Sequence, residues 1–399
     1  MTKISKRGTA TTLVHSGRHP RDNHGVINPP VYRASTIAQP NFAAWKESRK
    51  PDYKGYRYGL VGTPTTRYFE EALIAIYNAA GAIPVGSGLS AITTALLACL
   101  KPGDHLLMTD SAYVPSRNFC EGMLKDLGIE TTYYDPRVGA GIADLMRPET
   151  KVVFTESPGS MTFEIQDIPA IAGAAHAGGA IVILDNTWAS ALCLAPFELG
   201  VDVVVEAVTK YIAGHSDVIM GAIISGDAAS HDLMYKAARQ LGQFAAPDDL
   251  YLAQRGLRTM EVRMQRNAET SIQMAKWLET RPEVSCVLHP ALESHPDHAL
   301  WKRDFTGAAG LFSFVLQPCS DAALTALLDG LELYGMGASW GGYESLVIPQ
   351  FPATARSATE WTEPGQLLRI HTGLEDPEDL IADMGAGLDR LRDVQAAGA

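Results

Sequence analysis

The chain has 399 residues, 46% hydrophobic and 20% charged, with 33 Lys and Arg against 45 Asp and Glu for a formal net charge of −12. This is globular composition, with room for about two to three domains and a core that needs no disulfide or metal. The acidic balance excludes a broad grip on nucleic-acid phosphates.

Five widely spaced cysteines (Cys99, Cys120, Cys193, Cys286 and Cys319), none in a C-x-x-C pair, point to a reducing compartment. At the N-terminus Lys3, Lys6, Arg7, Arg18 and Arg21 stand among many Ser and Thr, ahead of or beside the first acidic residue, Asp22. That composition resembles a transit peptide, but a polar surface arm is the simpler reading, and no apolar secretory segment is present. The most apolar stretch, 168–184, is broken by Pro169 and His176 and is too short to span a bilayer. The protein reads as cytoplasmic, with neither a membrane nor a nucleic-acid partner.

Residues 66–79 place Phe69, Leu73, Ile76 and Tyr77 at helical spacing. A turn at Gly86–Gly88 precedes an Ala/Leu-rich helix that Lys101-Pro102-Gly103-Asp104 ends. Then follow a strand at 105–108, a helix at 119–127, strands at 130–134 and 151–155, a helix at 168–177, and strands at 180–184 and 201–205. Strands so continuously apolar are buried on both faces, which implies a parallel sheet covered by helices. The pattern is helical over 231–279 with a break at Pro247. The tail alternates strands at 285–288, 311–316 and 368–370 with helices at 322–328 and 379–391, as in a smaller α+β domain.

Ligands of open α/β sheets bind beyond the C-terminal ends of the strands. Asp185 ends one apolar strand and Lys210 follows another within Ala207-Val208-Thr209-Lys210-Tyr211. A carboxylate and a lysine at that rim suit a cofactor with a cationic ring nitrogen and an aldehyde carbon. Pyridoxal phosphate has both. Gly86-Ser87-Gly88-Leu89 begins a helix, whose first N–H groups can hold a phosphate. Tyr113, after the strand at 105–108, can stack on the ring.

Three look-alikes fail. His215-Ser216-Asp217 has the residue types of a hydrolase triad, but consecutive side chains diverge. His289, His295 and His298, with Glu293 and Asp297, imitate a metal cluster but lie among prolines, as in a surface loop. Gly335-Met336-Gly337 lacks the third glycine of a dinucleotide fingerprint. No metal is expected.

Thr209-Lys210-Tyr211 followed by Gly214-His215-Ser216-Asp217 resembles the cofactor-lysine signature of the pyridoxal-phosphate enzymes of cysteine and methionine metabolism. The resemblance runs from Leu13-Val14-His15-Ser16-Gly17-Arg18 and Asn28-Pro29-Pro30-Val31-Tyr32 through Gly62-Thr63-Pro64-Thr65. Glu156-Ser157-Pro158-Gly159-Ser160, residues 305–314 and Ser339-Trp340-Gly341-Gly342-Tyr343-Glu344-Ser345 resemble the cystathionine β-lyase branch in particular.

That resemblance implies an α/β fold of the aspartate aminotransferase type, with a mostly parallel seven-stranded sheet and a smaller C-terminal α+β domain. It implies an arm over 1–62 that contacts a neighbouring subunit, a cofactor domain over 63–256 and a C-terminal domain over 257–399. Lys210 would hold the cofactor and shuttle protons, Asp185 would pair with the ring nitrogen and Tyr113 would stack on the ring. Gly88, Leu89 and Thr209 would hold the phosphate with Tyr58 of the neighbouring subunit. Arg369 would clamp the substrate carboxylate beside Ser339 and Trp340. The implied activity is β-cleavage of L-cystathionine by a homotetramer. Within the family, broader cysteine-conjugate β-lyases and desulfhydrases, γ-lyases and γ-synthases are the alternatives, and no single residue decides between them.

The chain also departs from the family pattern. Leu60 stands where a phosphate-binding Arg is usual, Ala207 where a Ser is common, and Val208 is bulkier than usual. Asn78-Ala79-Ala80-Gly81 replaces a Glu-Gly-Gly turn. Arg57 lies close enough in sequence to supply the missing cation.

Overall fold

The computed structural model describes residues 7–50 and 53–398; Lys3 and Lys6 of the basic N-terminus lie outside them. The apolar runs become the strands β1 (Gly81–Val85), β2 (His105–Thr109), β3 (Glu130–Tyr134), β4 (Thr150–Glu156), β5 (Ile181–Asp185), β6 (Val203–Glu206) and β7 (Gly221–Ser225). Among the described residues they form one sheet in the order β1-β7-β6-β5-β4-β2-β3. Pairings among β2 to β6 are parallel, and β7 runs antiparallel to both β1 and β6.

Alternation along the strands divides the apolar side chains between two cores. Leu107, Val153, Leu184 and Val204 join Phe69, Leu73, Ile171, Leu250 and Leu257 on one face. Leu106, Phe154, Ile183 and Val205 join Ile92, Leu96 and Met234 on the other. Helices therefore cover both faces, which leaves the strand ends as the place for a ligand.

A second, antiparallel sheet contains β8 (Val284–Leu288), β9 (Leu311–Leu316), β10 (Leu346–Gln350) and β11 (Leu367–His371) in the order β10-β11-β9-β8. Phe312, Phe314, Leu368 and Ile370 pack against Met274 and Leu278 of the helix Met260–Leu278 and against Leu380, Met384 and Leu388 of the helix Pro377–Ala397. No helix among the described residues is long and apolar enough to cross a membrane.

Three strands escaped the sequence reading: β1, β7 and β10. Two of them contain proline, Pro84 and Pro349, and both lie at a sheet edge, where a missing N–H breaks no ladder. The helix expected at 119–127 starts earlier, at Val114, and passes into a π-helical turn over Cys120–Leu124.

The surface loop expected around the three histidines is also corrected. His289 and His295 are buried, at 0% and 3% exposure. The Ser271 hydroxyl lies 3.1 Å from His289 Nε2, and Asp297 accepts from Arg137 Nε at 2.8 Å and from the Ile165 N–H at 3.1 Å. Burial pushes His289 down to about 3 and His295 down to about 4. The segment does reach the surface at Glu293, Ser294 and Pro296, but His289, His295 and Asp297 turn inward from it.

Candidate active site

Beyond the C-terminal ends of β4, β5 and β6 lies a cavity of about 640 Å³. One end of it is formed by the start of the helix Gly88–Cys99. Ser87 caps that helix, its Oγ accepting from the Ser90 N–H at 3.0 Å while Ser90 Oγ accepts from the Ser87 N–H at 3.2 Å. The cap leaves the N–H groups of Gly88 and Leu89 without partners among the described residues, and both residues line the cavity. A side chain at position 88 has no room, since a Cβ would come within 2.7 Å of the Ala207 Cβ.

Thr209 lines the same end but is already engaged. Its N–H and hydroxyl both donate to the Met220 carbonyl at 3.0 Å, and its oxygen accepts from the Met220 N–H. Ala207 offers no hydroxyl, and its N–H donates to Thr187 Oγ1 at 2.9 Å.

Asp185 is the last residue of β5. Thr187 donates to its Oδ1 twice, from N–H at 3.0 Å and from the hydroxyl at 2.5 Å, and Oδ2 has no hydrogen-bond partner among the described residues. Burial pushes this carboxyl up, while Thr187 and the charge of Lys210 pull it back. Glu156 ends β4 in register with Asp185, and its Oε2 accepts from the Tyr113 N–H at 2.7 Å. Tyr113 presents its half-exposed ring to the cavity from the head of the helix Val114–Phe119.

Lys210 reaches in from the turn after β6. Its Nζ donates to Ser339 Oγ at 2.6 Å and lies 5.2 Å from the centre of the Trp340 ring. Burial, and then the positive charge of Arg369, push the amine down to about 8 against the opposing pull of Asp185. Ser339 itself has φ +92°, a conformation non-glycine residues adopt only where their surroundings impose it.

Arg369 stands in β11 of the second sheet, and its side chain makes no hydrogen bond or ion pair among the described residues. Burial holds its guanidinium below the usual value, with Tyr113 and Glu156 opposing. An isolated guanidinium in a cavity is matched to a carboxylate ligand.

Of the residues singled out from the sequence, Gly88, Leu89, Tyr113, Asp185, Thr209, Lys210, Ser339, Trp340 and Arg369 all line this one cavity. Tyr58 does not. It is exposed at 47%, paired with Thr36 in an isolated β-bridge. Glu156 and Thr187 went unremarked as site residues, although Glu156 closes an apolar strand as Asp185 does. No group of three or more His, Cys, Asp or Glu fit to hold a metal occurs among the described residues.

The residues fit pyridoxal phosphate. A depressed lysine is present for the aldehyde, and Asp185 Oδ2 is free to accept from a ring N–H. Unpartnered amides at a helix start suit a phosphate. A model of the Cys/Met metabolism PLP-dependent enzymes matches residues 10–389. The chain belongs to that family.

The chain is similar to the cystathionine beta-lyase of Escherichia coli, 40% identical over 96% of this chain and 98% of the relative. It is comparably similar, at 41% over 95% of this chain and 96% of the relative, to an L-alanine/L-glutamate racemase of Wolbachia pipientis. A crystal structure of cystathionine gamma synthase from Xanthomonas oryzae superimposes with a TM-score of 0.89 at 32% identity, covering 98% of this chain and 100% of that one. Pyridoxal phosphate is therefore the cofactor of this family member.

Proposed function

We propose that this family member is a carbon–sulfur β-lyase that cleaves L-cystathionine to homocysteine, pyruvate and ammonia, a step of methionine biosynthesis. The observation that carries the reading is the shared cavity. It places the depressed amine of Lys210 together with an unpaired Arg369, as an amino-acid substrate with a proton to lose at Cα requires. Pyridoxal phosphate supplies an aldehyde carbon and a protonated ring that takes up the electron pair released at Cα.

This chain's residues do the rest. Asp185 would hold the cofactor by accepting from its ring N–H, and Arg369 would grip the α-carboxylate of the substrate through its planar fork. Lys210, with its amine brought near neutrality, removes the Cα proton and carries it onward while the Cβ–S bond breaks. Ser339 holds Nζ at the start of that path. The apolar walls Phe163, Trp188, Leu311 and Trp340 limit water around the reacting atoms.

The same reading takes the protein as a cytoplasmic homotetramer, divided at residues 62 and 256, in which Tyr58 completes a neighbour's phosphate site. Its exposed position outside its own cavity supports that, as does a cavity lining whose only Lys and Arg are Lys210 and Arg369.

The test is product analysis of purified holoenzyme with L-cystathionine. Equimolar pyruvate and homocysteine are expected. Formation of 2-oxobutyrate assigns γ-cleavage instead. Comparable kcat/KM over many cysteine conjugates assigns a broader β-lyase. Racemisation of L-alanine with no cleavage of cystathionine overturns the lyase reading.

A further inference from the structure

Glu156 is a carboxyl of the cavity lining to which the proposed reaction gives no task. It ends β4 directly beside Asp185 at the end of β5, and little of it is exposed. One oxygen accepts the Tyr113 N–H at 2.7 Å, and the other has no partner among the described residues. Arg369, a cation lining the same cavity, has no ion-pair partner among the described residues.

We propose that Glu156 is a positioning residue that must carry a proton for Arg369 to receive the substrate carboxylate. Ionised, it is a resident rival for that guanidinium. Protonated, it keeps its hold on the Tyr113 N–H through a neutral oxygen and leaves Arg369 with its full charge for the incoming ligand. The inference rests on the reading that Arg369 takes a substrate carboxylate, and it does not depend on which bond is later broken.

The surroundings favour the protonated form. Burial is the largest influence on Glu156 and the negative charge of Asp185 adds to it, so the carboxyl sits well above the usual range. The Tyr113 N–H and Arg369 oppose them. The groups acting on it thus come from β5, from the head of the helix at Tyr113 and from β11. Lys210, Asp217 and Glu344 are the remaining charged members of the lining. A third carboxylate brought to Arg369 near an ionised Glu156 and Asp185 adds like-charge repulsion in a poorly solvated space. Ligand binding and proton binding at Glu156 therefore reinforce one another.

The probe is propionate, a carboxylate with no amine and no leaving group, titrated into holoenzyme between pH 6 and 10. Once Glu156 ionises, propionate affinity is expected to fall by up to tenfold per pH unit beyond any fall caused by Lys210 and the cofactor. Glu156→Gln keeps an acceptor for the Tyr113 N–H and is expected to match wild type at low pH and to lose that extra fall. Parallel profiles for the two proteins overturn the proposal.

A measurement on wild type alone covers a variant that fails to fold. Calorimetry in two buffers of different ionisation enthalpy counts all protons taken up with propionate, and cofactor absorbance counts those taken up at the chromophore. At alkaline pH the first count is expected to exceed the second by as much as one, and equal counts overturn the inference. Failure here leaves the cystathionine assay untouched, while absence of any propionate binding faults the role of Arg369 itself.

Discussion

Gly341 lies against the backbone of Lys210. A Cβ on Gly341 would come within 2.9 Å of the Lys210 carbonyl carbon and 3.1 Å of its Cα, and its φ is +86°. The Ser339–Trp340–Gly341 turn thus touches Lys210 twice, through the Ser339 hydroxyl at Nζ and through Gly341 at the main chain.

Gly341→Ala is therefore predicted to move the Lys210 turn, because main-chain atoms cannot swing aside as a flexible side chain does. Displacement of a reacting group by about 1 Å can cost roughly hundredfold in rate. The expected result is a loss of kcat of that order with weakened cofactor absorbance, at a melting temperature lowered by only a few degrees. A variant with wild-type kcat removes the proposed coupling between the two turns.

The parts of the site that were legible in the sequence are those attached to strong local signals. Asp185 and Lys210 follow continuous apolar strands, and such strands in alternating order announce both the parallel sheet and the rim where ligands sit. The same signal marks Glu156, whose strand ends beside that of Asp185. Arg369 and Ser339 carry no such mark. They belong to the second sheet and to a turn near it, and only the tertiary fold brings them to Lys210, so resemblance alone pointed to them. The prolines misled in both directions. Pro84 and Pro349 concealed edge strands, and Pro290 and Pro296 suggested exposure where His289 and His295 are buried.

Cofactor attachment is predicted to follow the Lys210 amine. Burial and the charge of Arg369 disfavour its ammonium form, so the folded value drops from 10.5 to about 8. Only the neutral amine attacks an aldehyde. The rate at which apo-protein takes up pyridoxal phosphate covalently should thus rise with pH, reach half its maximum near pH 8, and level off above. Arg369→Ala removes the second-largest cause, and its midpoint should lie higher. Stopped-flow absorbance with borohydride trapping measures both, and identical midpoints would count against the influence of Arg369 on Lys210.

Asp110 is predicted to hold the two sheets together. Its carboxylate, fully buried just beyond β2, accepts from Arg117 Nη1 at 2.8 Å, the N–H groups of Ser357 and Ala358 at 3.0 Å, the Thr359 N–H at 2.7 Å and the Thr359 hydroxyl at 2.8 Å. Ser357, Ala358 and Thr359 lie in the segment joining β10 to β11, the strand that carries Arg369. Burial alone would raise the carboxyl, but the bonds from Ser357, Thr359 and Arg117 outweigh it and bring it below its usual value. A carboxyl depressed in the folded state stabilises above its unfolded value of about 3.9, and that stability disappears as pH falls through the folded value. Asp110→Ala takes the closer of its two carboxylates from buried Arg117, leaving Glu121 at 3.7 Å, and should cost about 3 kcal/mol at neutral pH, the low end of the range for breaking a buried pair. Denaturant unfolding should find that gap narrowing in acid. A constant gap down to pH 3 would contradict the assignment.

The last prediction concerns the phosphate. By the family resemblance Leu60 stands where an arginine is usual, and the cations lining the cavity, Lys210 and Arg369, have other tasks in the proposed reaction, which leaves the two amides at a helix start to face a doubly charged group. Arg57 is the nearest replacement in sequence. Among the described residues its side chain donates only to the Ser48 carbonyl, from Nη1 at 3.2 Å, and it lies outside its own cavity, as Tyr58 does. If the arm serves a neighbour, that guanidinium is free to turn toward the neighbour's phosphate at little cost. A charged hydrogen bond of this kind is worth about 1.5–3 kcal/mol, so Arg57→Ala should raise the dissociation constant for pyridoxal phosphate by roughly ten- to hundredfold. Lys54→Ala, three residues earlier at an exposed position, should leave it unchanged. Equilibrium dialysis of the two variants against wild type decides it. Equal retention by both would mean that the amides of Gly88 and Leu89 hold the phosphate without a cation from the arm.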